Sequence, residues 1–446
     1  MKLDDLKNKT ILLFGKPRAF NQEEFAYQLQ TLNVALAEGY SDDVSYIVEG
    51  RLITPYEQNE LDRLYEEGVR DKFAEIDELE KTIIENIDAD SLLMSLKLSR
   101  DRDRLLSYIK NSKVSNTLFL KLIKLYDWQN EGFFENDENR DVTAALISRF
   151  YENIERNHNV QYATLGLMHL VEQTKDESLI EAISMLSPIK NGFSNSSLYP
   201  IILEIAKNNA TPNSVLKMLL KNGNLEIKKI IASKDDLDKN VQNMLFTLNE
   251  DEVNISLCKN PSLDVDLAKQ LQESYPDIIA ENITLDDNFF EYFLQVSPKH
   301  LAKNKTLTKQ MQGRLLSLSD KEVTASLATN SNIDENIADE ILLLGDGEIN
   351  LSLFSNEMVK EENLREAYLH EKNYLSLAGN SKTPEDILRK LAYEGDIEII
   401  KALCKNPSTP VDLLYEFRLD QRLERLVSQN EAFTNHIKTE NIGWKD

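Results

Sequence analysis

Few residues in this chain could do chemistry, and they are dispersed. The five histidines, His158, His169, His300, His370 and His436, include no pair at i,i+4 spacing, so nothing marks the convergence a metal site needs. A nucleophile needs a base and an orienting group, and neither cysteine, Cys258 or Cys404, has a candidate for either nearby in sequence. Two cysteines are also too few for a disulfide framework and fit a reducing compartment. Asp137, Asn139 and Asp141 imitate the start of a calcium loop, but the sixth position is Val142 where Gly is needed and no Glu closes the motif. The stretch from Asn130 to Asp141 reads instead as a polar loop. Gly15-Lys16 lacks the earlier glycine and the following Ser or Thr of a phosphate loop. Just beyond Gly15, Lys16 and Arg18 form the one basic pair placed to meet an anion, with solvated charge as the competing reading. No catalytic residue, metal ligand or cofactor site follows from these residues. The expectation is a protein that is not an enzyme.

What could position any partner is set by composition. The chain of 446 residues is 41% hydrophobic and 28% charged, values of a folded soluble protein rather than a disordered or membrane-embedded one. Gly 14 and Pro 11 are scarce, which disfavours turn-rich β folds and points to helices. Asp and Glu number 76 against 51 Lys and Arg, giving a net charge of −25 that repels phosphate backbones. Partners are therefore expected to be proteins with neutral or basic segments, with nucleic acid conceivable only through residues 1–75. The longest early apolar run, Ile11-Leu12-Leu13-Phe14, is far short of a signal peptide, no stretch approaches the ~20 apolar residues of a membrane span, and a cytoplasmic location is expected.

Self-comparison reveals a repeat. Leu257-Cys258-Lys259-Asn260-Pro261-Ser262 returns as Leu403-Cys404-Lys405-Asn406-Pro407-Ser408. Degenerate copies place Asn at 208, 282, 304, 330, 356, 380 and 430, and with Lys234 as a substituted member the spacings are 26, 26, 22, 22, 26, 26, 24, 26 and 24. Each unit holds two short apolar-periodic segments that read as helices. Thr211-Pro212, Thr383-Pro384 and Thr409-Pro410 open second helices, where Thr can cap and Pro suits the first turn; Asp386 and Asp412 then suggest near capping boxes. Asn208, Asn260, Asn282, Asn304, Asn330, Asn356, Asn380, Asn406 and Asn430 stand where the first helix must stop, and Asn tolerates left-handed backbone there. Two residues earlier stands Ala six times, Cys twice, and Phe or Ser once each, so a small buried residue is expected and both cysteines become packing residues.

These units resemble the leucine-rich-repeat-variant proteins, relatives in form of HEAT-like repeats, whose pattern runs apolar-x-x-Ala-x-Asn-Pro-x-x-Pro-x-x-Leu-Leu. The match covers about residues 196–442 and is best at 372–420. The resemblance implies a right-handed α-solenoid over 196–446 with units of 22–26 residues. An iron–sulfur cluster linked to that family needs about four thiolates, which two cysteines cannot supply. Residues 76–195 read as a divergent helical extension, with Ile109-Lys110-Asn111-Ser112 as a stray copy of the motif.

Residues 1–75 differ. Thr10-Ile11-Leu12-Leu13-Phe14-Gly15 and Ser45-Tyr46-Ile47-Val48-Glu49-Gly50 read as buried strands, with helices near Gln22–Leu32 and Glu57–Glu67, an order that implies a small α/β unit with a parallel sheet. Phe14-Gly15 and Tyr46-Ile47-Val48-Glu49-Gly50 resemble a BRCT domain. In phosphopeptide-binding members a Ser or Thr before the Gly and a Lys from the second helix hold the phosphate; here stand Phe14 and, in that helix, only Arg63. The expected function is a non-catalytic protein-interaction scaffold, with a genome-maintenance adaptor contacting DNA or a repair protein through residues 1–75 as the alternative.

Overall fold

Thr10–Phe14 (β1) and Tyr46–Glu49 (β3) pair in parallel at the centre of a small sheet, as continuous apolar runs buried on both faces do. Two short strands that lack a periodic signal, Ala35–Ala37 (β2) and Phe73–Glu75 (β4), complete it in the order β2-β1-β3-β4, every pairing parallel. The structure is a computed structural model that describes residues 2–128, 132–151, 163–195 and 197–439. The described residues are mainly helical, with this sheet near the N-terminus. Leu3–Leu6 forms α1, Gln22–Thr31 α2, Pro55–Glu66 α3, Ile76–Glu85 α4, Ala89–Ser99 α5 and Arg102–Lys110 α6. Leu12, Phe14, Val44 and Ile47 pack with Leu61 and Leu64 of α3 into the core against the sheet.

Gly15 and Gly50 are dictated by a close backbone approach. Lys16 and Arg51 exchange N–H to O bonds of 2.7 and 2.8 Å beyond the ends of β1 and β3. A Cβ on Gly50 would lie 2.3 Å from the Lys16 carbonyl oxygen, and one on Gly15, whose φ is +74°, would lie 2.5 Å from that of Arg51. Only glycine fits either position.

The chain groups into two compact units, residues 1–231 and 232–446, so that 197–231 counts with the first. In the second unit, each first helix packs on the first helix of the next unit, in the succession Asp251–Cys258, Pro276–Asn282, Pro298–Leu301, Lys321–Ala328, Gly347–Phe354, Tyr374–Gly379, Ile397–Lys405 and Glu424–Ser428. The residue two before the motif position is fully buried at Ala206, Ala232, Cys258, Ala280, Ala302, Ala328, Ala378 and Cys404. Phe354 fits the slot with slight exposure, while Ser428, at the end of the array, is exposed.

Four local expectations are corrected. Asn208, Asn380 and Asn406 cap their helices with φ of −61°, −85° and −73° and ψ near 120°, extended rather than left-handed backbone. The Thr-Pro threonines do not cap the helix that follows: Thr211, Thr383 and Thr409 turn their hydroxyls back to the carbonyls of Ile205, Leu377 and Leu403, and Pro212, Pro384 and Pro410 are the N-cap residues. Asp386 and Asp412 leave the capping boxes and pair with Arg365 and Arg389 of the preceding unit. Finally, Asp137–Phe150 is a helix capped by Asn136, so Asp137, Asn139 and Asp141 lie in its first turns; Asn130 and Glu131 lie outside the described residues.

Candidate functional site

The loop between β1 and α2 carries Lys16 and Arg18, and its backbone donors can be accounted for one by one. Gly15 N–H donates to Glu57 Oε1 at 2.9 Å, and Lys16 N–H to the Arg51 carbonyl. Pro17 has no N–H. Arg18 and Ala19 N–H both donate to Glu80 Oε1, at 2.7 and 2.8 Å. Every N–H from 15 to 19 thus faces a carboxylate or carbonyl of the chain itself, where an anion-binding loop would leave donors free for its ligand. Glu57 also closes a capping box with Thr54, and hydrogen bonds from the Thr54 side chain and the Thr54 and Gly15 backbones hold its carboxyl below the ordinary glutamate value. Glu80 is fully buried, with Lys113 Nζ at 3.5 Å from its Oε2. The Arg18 guanidinium pairs with Asp77 at 3.1 Å, and Asp77 also takes Lys113 at 2.8 Å. Arg18 further borders a shallow cleft beside β4 that it shares with Glu49, Glu75 and Asp77. Lys16 is exposed at the strand ends, and Arg63 pairs with Glu60 and Glu67. The structure does not bring Lys16, Arg18 and Arg63 into one anion site.

Behind this loop lies a buried polar cluster. Glu24 of α2 accepts from Gln28 Nε2 at 2.7 Å, from the Tyr108 hydroxyl at 2.5 Å, and from the Arg104 guanidinium of α6. Burial alone would raise the Glu24 carboxyl, but these hydrogen bonds outweigh it and hold the group below its ordinary value. A buried carboxylate held by four donors, three on Oε1 and one on Oε2, acts as a structural anchor. Asn111, the stray motif copy, adds a second anchor: its Oδ1 accepts from Lys113 N–H and its Nδ2 donates to the Ala19 carbonyl at 3.0 Å.

The repeat asparagines form a ladder. In Asn260, Asn304, Asn330, Asn356, Asn380 and Asn406, Oδ1 accepts the N–H two residues on, while Nδ2 donates twice to backbone carbonyls of the preceding unit. From Asn330 on, one of the two acceptors is the carbonyl of the previous ladder asparagine, so that 304, 330, 356, 380, 406 and 430 are joined in one series. Asn208 makes the same bonds, to Val171 and Thr174. Asn282 does not: its amide turns to Ile278 of its own helix, and Asn304 clasps Ala280 and Ile283 instead. Lys234, buried with its ammonium pushed down to about 8 by desolvation, contributes its carbonyl to Asn260. Two buried glutamines do similar work: Gln242 and Gln312 each donate to carbonyls of their own and the next unit and accept the N–H of Asp264 or Asp334. The buried glutamines carry no signal in the sequence beyond two matching positions.

The remaining candidates are dispersed as well. Cys258 and Cys404 are fully buried, and burial pushes their thiols up to about 12 and about 11. His169 meets Glu172, His300 meets Asp277 and Ser297, and His436 lies edge-on to Tyr415, while His158 lies outside the described residues. Among the described residues no group of three His, Cys, Asp or Glu converges to hold a metal. No helix among them is long and apolar enough to cross a membrane. Asn139 is buried, accepting from the Tyr126 hydroxyl and donating to the Gly132 carbonyl, and Asp141 pairs with Lys110, which rules this trio out as a calcium loop. A cleft of about 580 Å³ opens in the second unit, bordered by Asp339, Leu343, Asn350, Lys360, Glu362 and His370. Lys360 and Asn363 both bind Asp339 there, at 2.5 and 2.7 Å. No family model matches the chain, and neither a curated protein nor a solved structure matches it.

Proposed function

We propose that this chain is a non-catalytic protein-interaction scaffold, built from a BRCT-like unit at residues 1–75 and a leucine-rich-repeat-variant solenoid at 196–446. The observation that carries the reading is the asparagine ladder. It ties each helix pair to the backbone of the preceding one through buried side chain-to-backbone bonds, and a stack joined in this way can present an extended binding face. The β2-β1-β3-β4 parallel order suits the BRCT resemblance of the first strands. The loop chemistry favours the scaffold over the DNA-contacting adaptor, since Glu57, Glu80 and Asp77 occupy the donors and the arginine that a phosphate would need. With a net charge of −25, the client is a protein with neutral or basic segments.

The test places a photo-crosslinking amino acid at single exposed positions of the full-length protein and recovers adducts from extracts of its host. A saturable adduct with one protein is the expected result. Absence of any adduct at all positions, or turnover of a substrate by the purified chain, overturns the reading.

A further inference from the structure

Large apolar side chains on a protein surface are ordinary when scattered. In the second unit they recur at one structural position. Val296, Leu318, Leu344, Leu369, Tyr393 and Leu419 are spaced by 22, 26, 25, 24 and 26 residues. Each stands at or just past the C-terminus of a second helix, those being Asp287–Val296, Lys309–Leu316, Glu335–Leu343, Glu361–Ala367, Glu385–Ala392 and Val411–Phe417. All six are between 44% and 87% exposed, and Leu343, beside Leu344, is 86% exposed. An apolar side chain (valine, leucine or tyrosine) kept out of the core at the same place in six successive units is an organised row rather than scattered exposure, and exposed apolar surface that is organised marks an interface.

The flanks of the row decide what would cover it. The six connections 296–301, 317–322, 343–348, 369–374, 393–398 and 419–424 carry ten carboxylates against four Lys and Arg, the first of them with no carboxylate and with Lys299 paired to Glu322 of the next. Of those bases, Lys321 is held by Asp346 and Glu348 and Arg422 by Asp420. Asp320, Asp346 and Asp396 are fixed beside the row because each caps the next first helix. The cleft of about 580 Å³ opens beside Leu343 and is edged by Glu362 and Glu366, and Asn350 Oδ1 is a buried acceptor on its wall with no donor among the described residues. Apolar anchors set between fixed negative charges fit a segment that is both apolar and basic, and a second copy of this chain, at −25, would be repelled.

We propose that this edge of residues 296–424 is the docking surface for an extended, basic, leucine-bearing segment of another protein. This rests on the scaffold reading above and specifies its surface and client. Packed helices lie about 8–10 Å apart, and an extended chain advances about 3.3 Å per residue. Alternation of faces would send every other third residue away from the row in a flat strand, so the segment lies as a polyproline II helix, three residues and about 9 Å per turn, and presents one apolar side chain every third residue with Lys or Arg between.

The experiment measures fluorescence anisotropy of three labelled peptides, (Lys-Ser-Leu)6, (Glu-Ser-Leu)6 and (Lys-Ser-Ser)6, against the full chain. The comparison protein is the surface variant Leu343→Ser/Leu369→Ser/Tyr393→Ser/Leu419→Ser, its fold checked by circular dichroism and denaturant midpoint. The expected result is that (Lys-Ser-Leu)6 binds at least tenfold tighter than either control and loses at least tenfold with the variant. Equal binding by wild type and variant, equal binding of (Glu-Ser-Leu)6, or no binding of (Lys-Ser-Leu)6 overturns the proposal. So does variant-sensitive binding to phosphatidylcholine vesicles without peptide binding, which would assign the row to a membrane. If the crosslinked client is retained by the row variant, the scaffold reading stands and this surface falls. If no client is found but the peptide pattern holds, the scaffold reading falls and the row stands only as a surface that binds basic, leucine-bearing peptides.

Discussion

Asn380 is the sharpest place to test the ladder. It is fully buried; its Nδ2 donates to Phe354 O at 2.8 Å and Asn356 O at 2.9 Å, and its Oδ1 accepts Lys382 N–H at 2.8 Å. Asn380→Ala removes three hydrogen bonds at about 1 kcal/mol each. It also strands acceptors unequally: Asn356 O keeps the Val359 N–H, while Phe354 O loses this donor in the interior. A stranded buried carbonyl adds about 1–3 kcal/mol, so the total is about 4–6 kcal/mol. Asn282→Ala is the control, because that amide only bonds Ile278 of its own helix and is half-buried; its loss should cost about 1 kcal/mol or less. Asn380→Asp keeps the acceptor and turns a negative charge onto two carbonyls, so it should be at least as damaging as alanine near neutral pH and recover when acid protonates it. Urea unfolding followed by circular dichroism reads the global effect, and hydrogen exchange near Lys382 reads local opening if the array does not unfold as one unit. An Asn380→Ala cost equal to that of Asn282→Ala would refute the ladder as a source of stability.

Three further outcomes follow from the same geometry. Cys258 and Cys404, with thiols pushed up to about 12 and about 11, should remain unmodified by an aromatic disulfide reagent in the folded protein at pH 8 and react fully in denaturant. Gly15→Ala, which combines a φ of +74° with a Cβ 2.5 Å from the Arg51 carbonyl, should destabilise residues 1–231 by about 3 kcal/mol or more, read as a lower urea midpoint. Lys234 has a folded pKa lowered to about 8, so its charge opposes folding below that pH and the penalty fades as pH rises toward the unfolded value. Lys234→Met should raise stability by about 2–3 kcal/mol at pH 7, with the gap between variant and wild type closing through pH 8 to 10.5.

The fold was readable where burial writes a pattern and unreadable where backbone geometry decides. β1 and β3 stood out as Thr10–Phe14 and Tyr46–Glu49 because strands buried on both faces are apolar throughout. β2 and β4, three residues each with no fully buried position, left no such trace. The spacing located the asparagines correctly but not their partners, since the acceptors are main-chain carbonyls that every residue carries. For the same reason Thr383 could not be assigned by type to the helix ahead or the helix behind; the loop turns its hydroxyl to Leu377. Lys16 and Arg18 looked available to an anion because nothing in sequence announces that Glu57 and Glu80, from two later helices, return to the same loop. The exposed row was invisible for the opposite reason. Nothing in the residue types of Leu369 and Leu419 distinguishes them from the buried leucines of the same units; only their exposure does.

Recognition through main-chain carbonyls also explains how the array tolerates drift, and this yields one more test. Asn282 turns its amide to Ile278 of its own helix and so interrupts the series, and Asn304 would be cheap to remove if each asparagine needed a ladder asparagine before it. In the structure Asn304 Nδ2 donates to Ala280 O and Ile283 O, both at 2.8 Å, as fully as Asn380 bonds its own acceptors. Its Oδ1 accepts both the Thr306 N–H and the Thr306 hydroxyl, and its carbonyl supports Asn330. Asn304→Ala should therefore cost about 4–6 kcal/mol, matching Asn380→Ala in the same urea assay. A cost near that of Asn282→Ala would mean that the ladder depends on asparagine following asparagine. A full cost means that each asparagine acts alone on whatever backbone the preceding unit offers, which is how units of 22 and 26 residues can share one architecture.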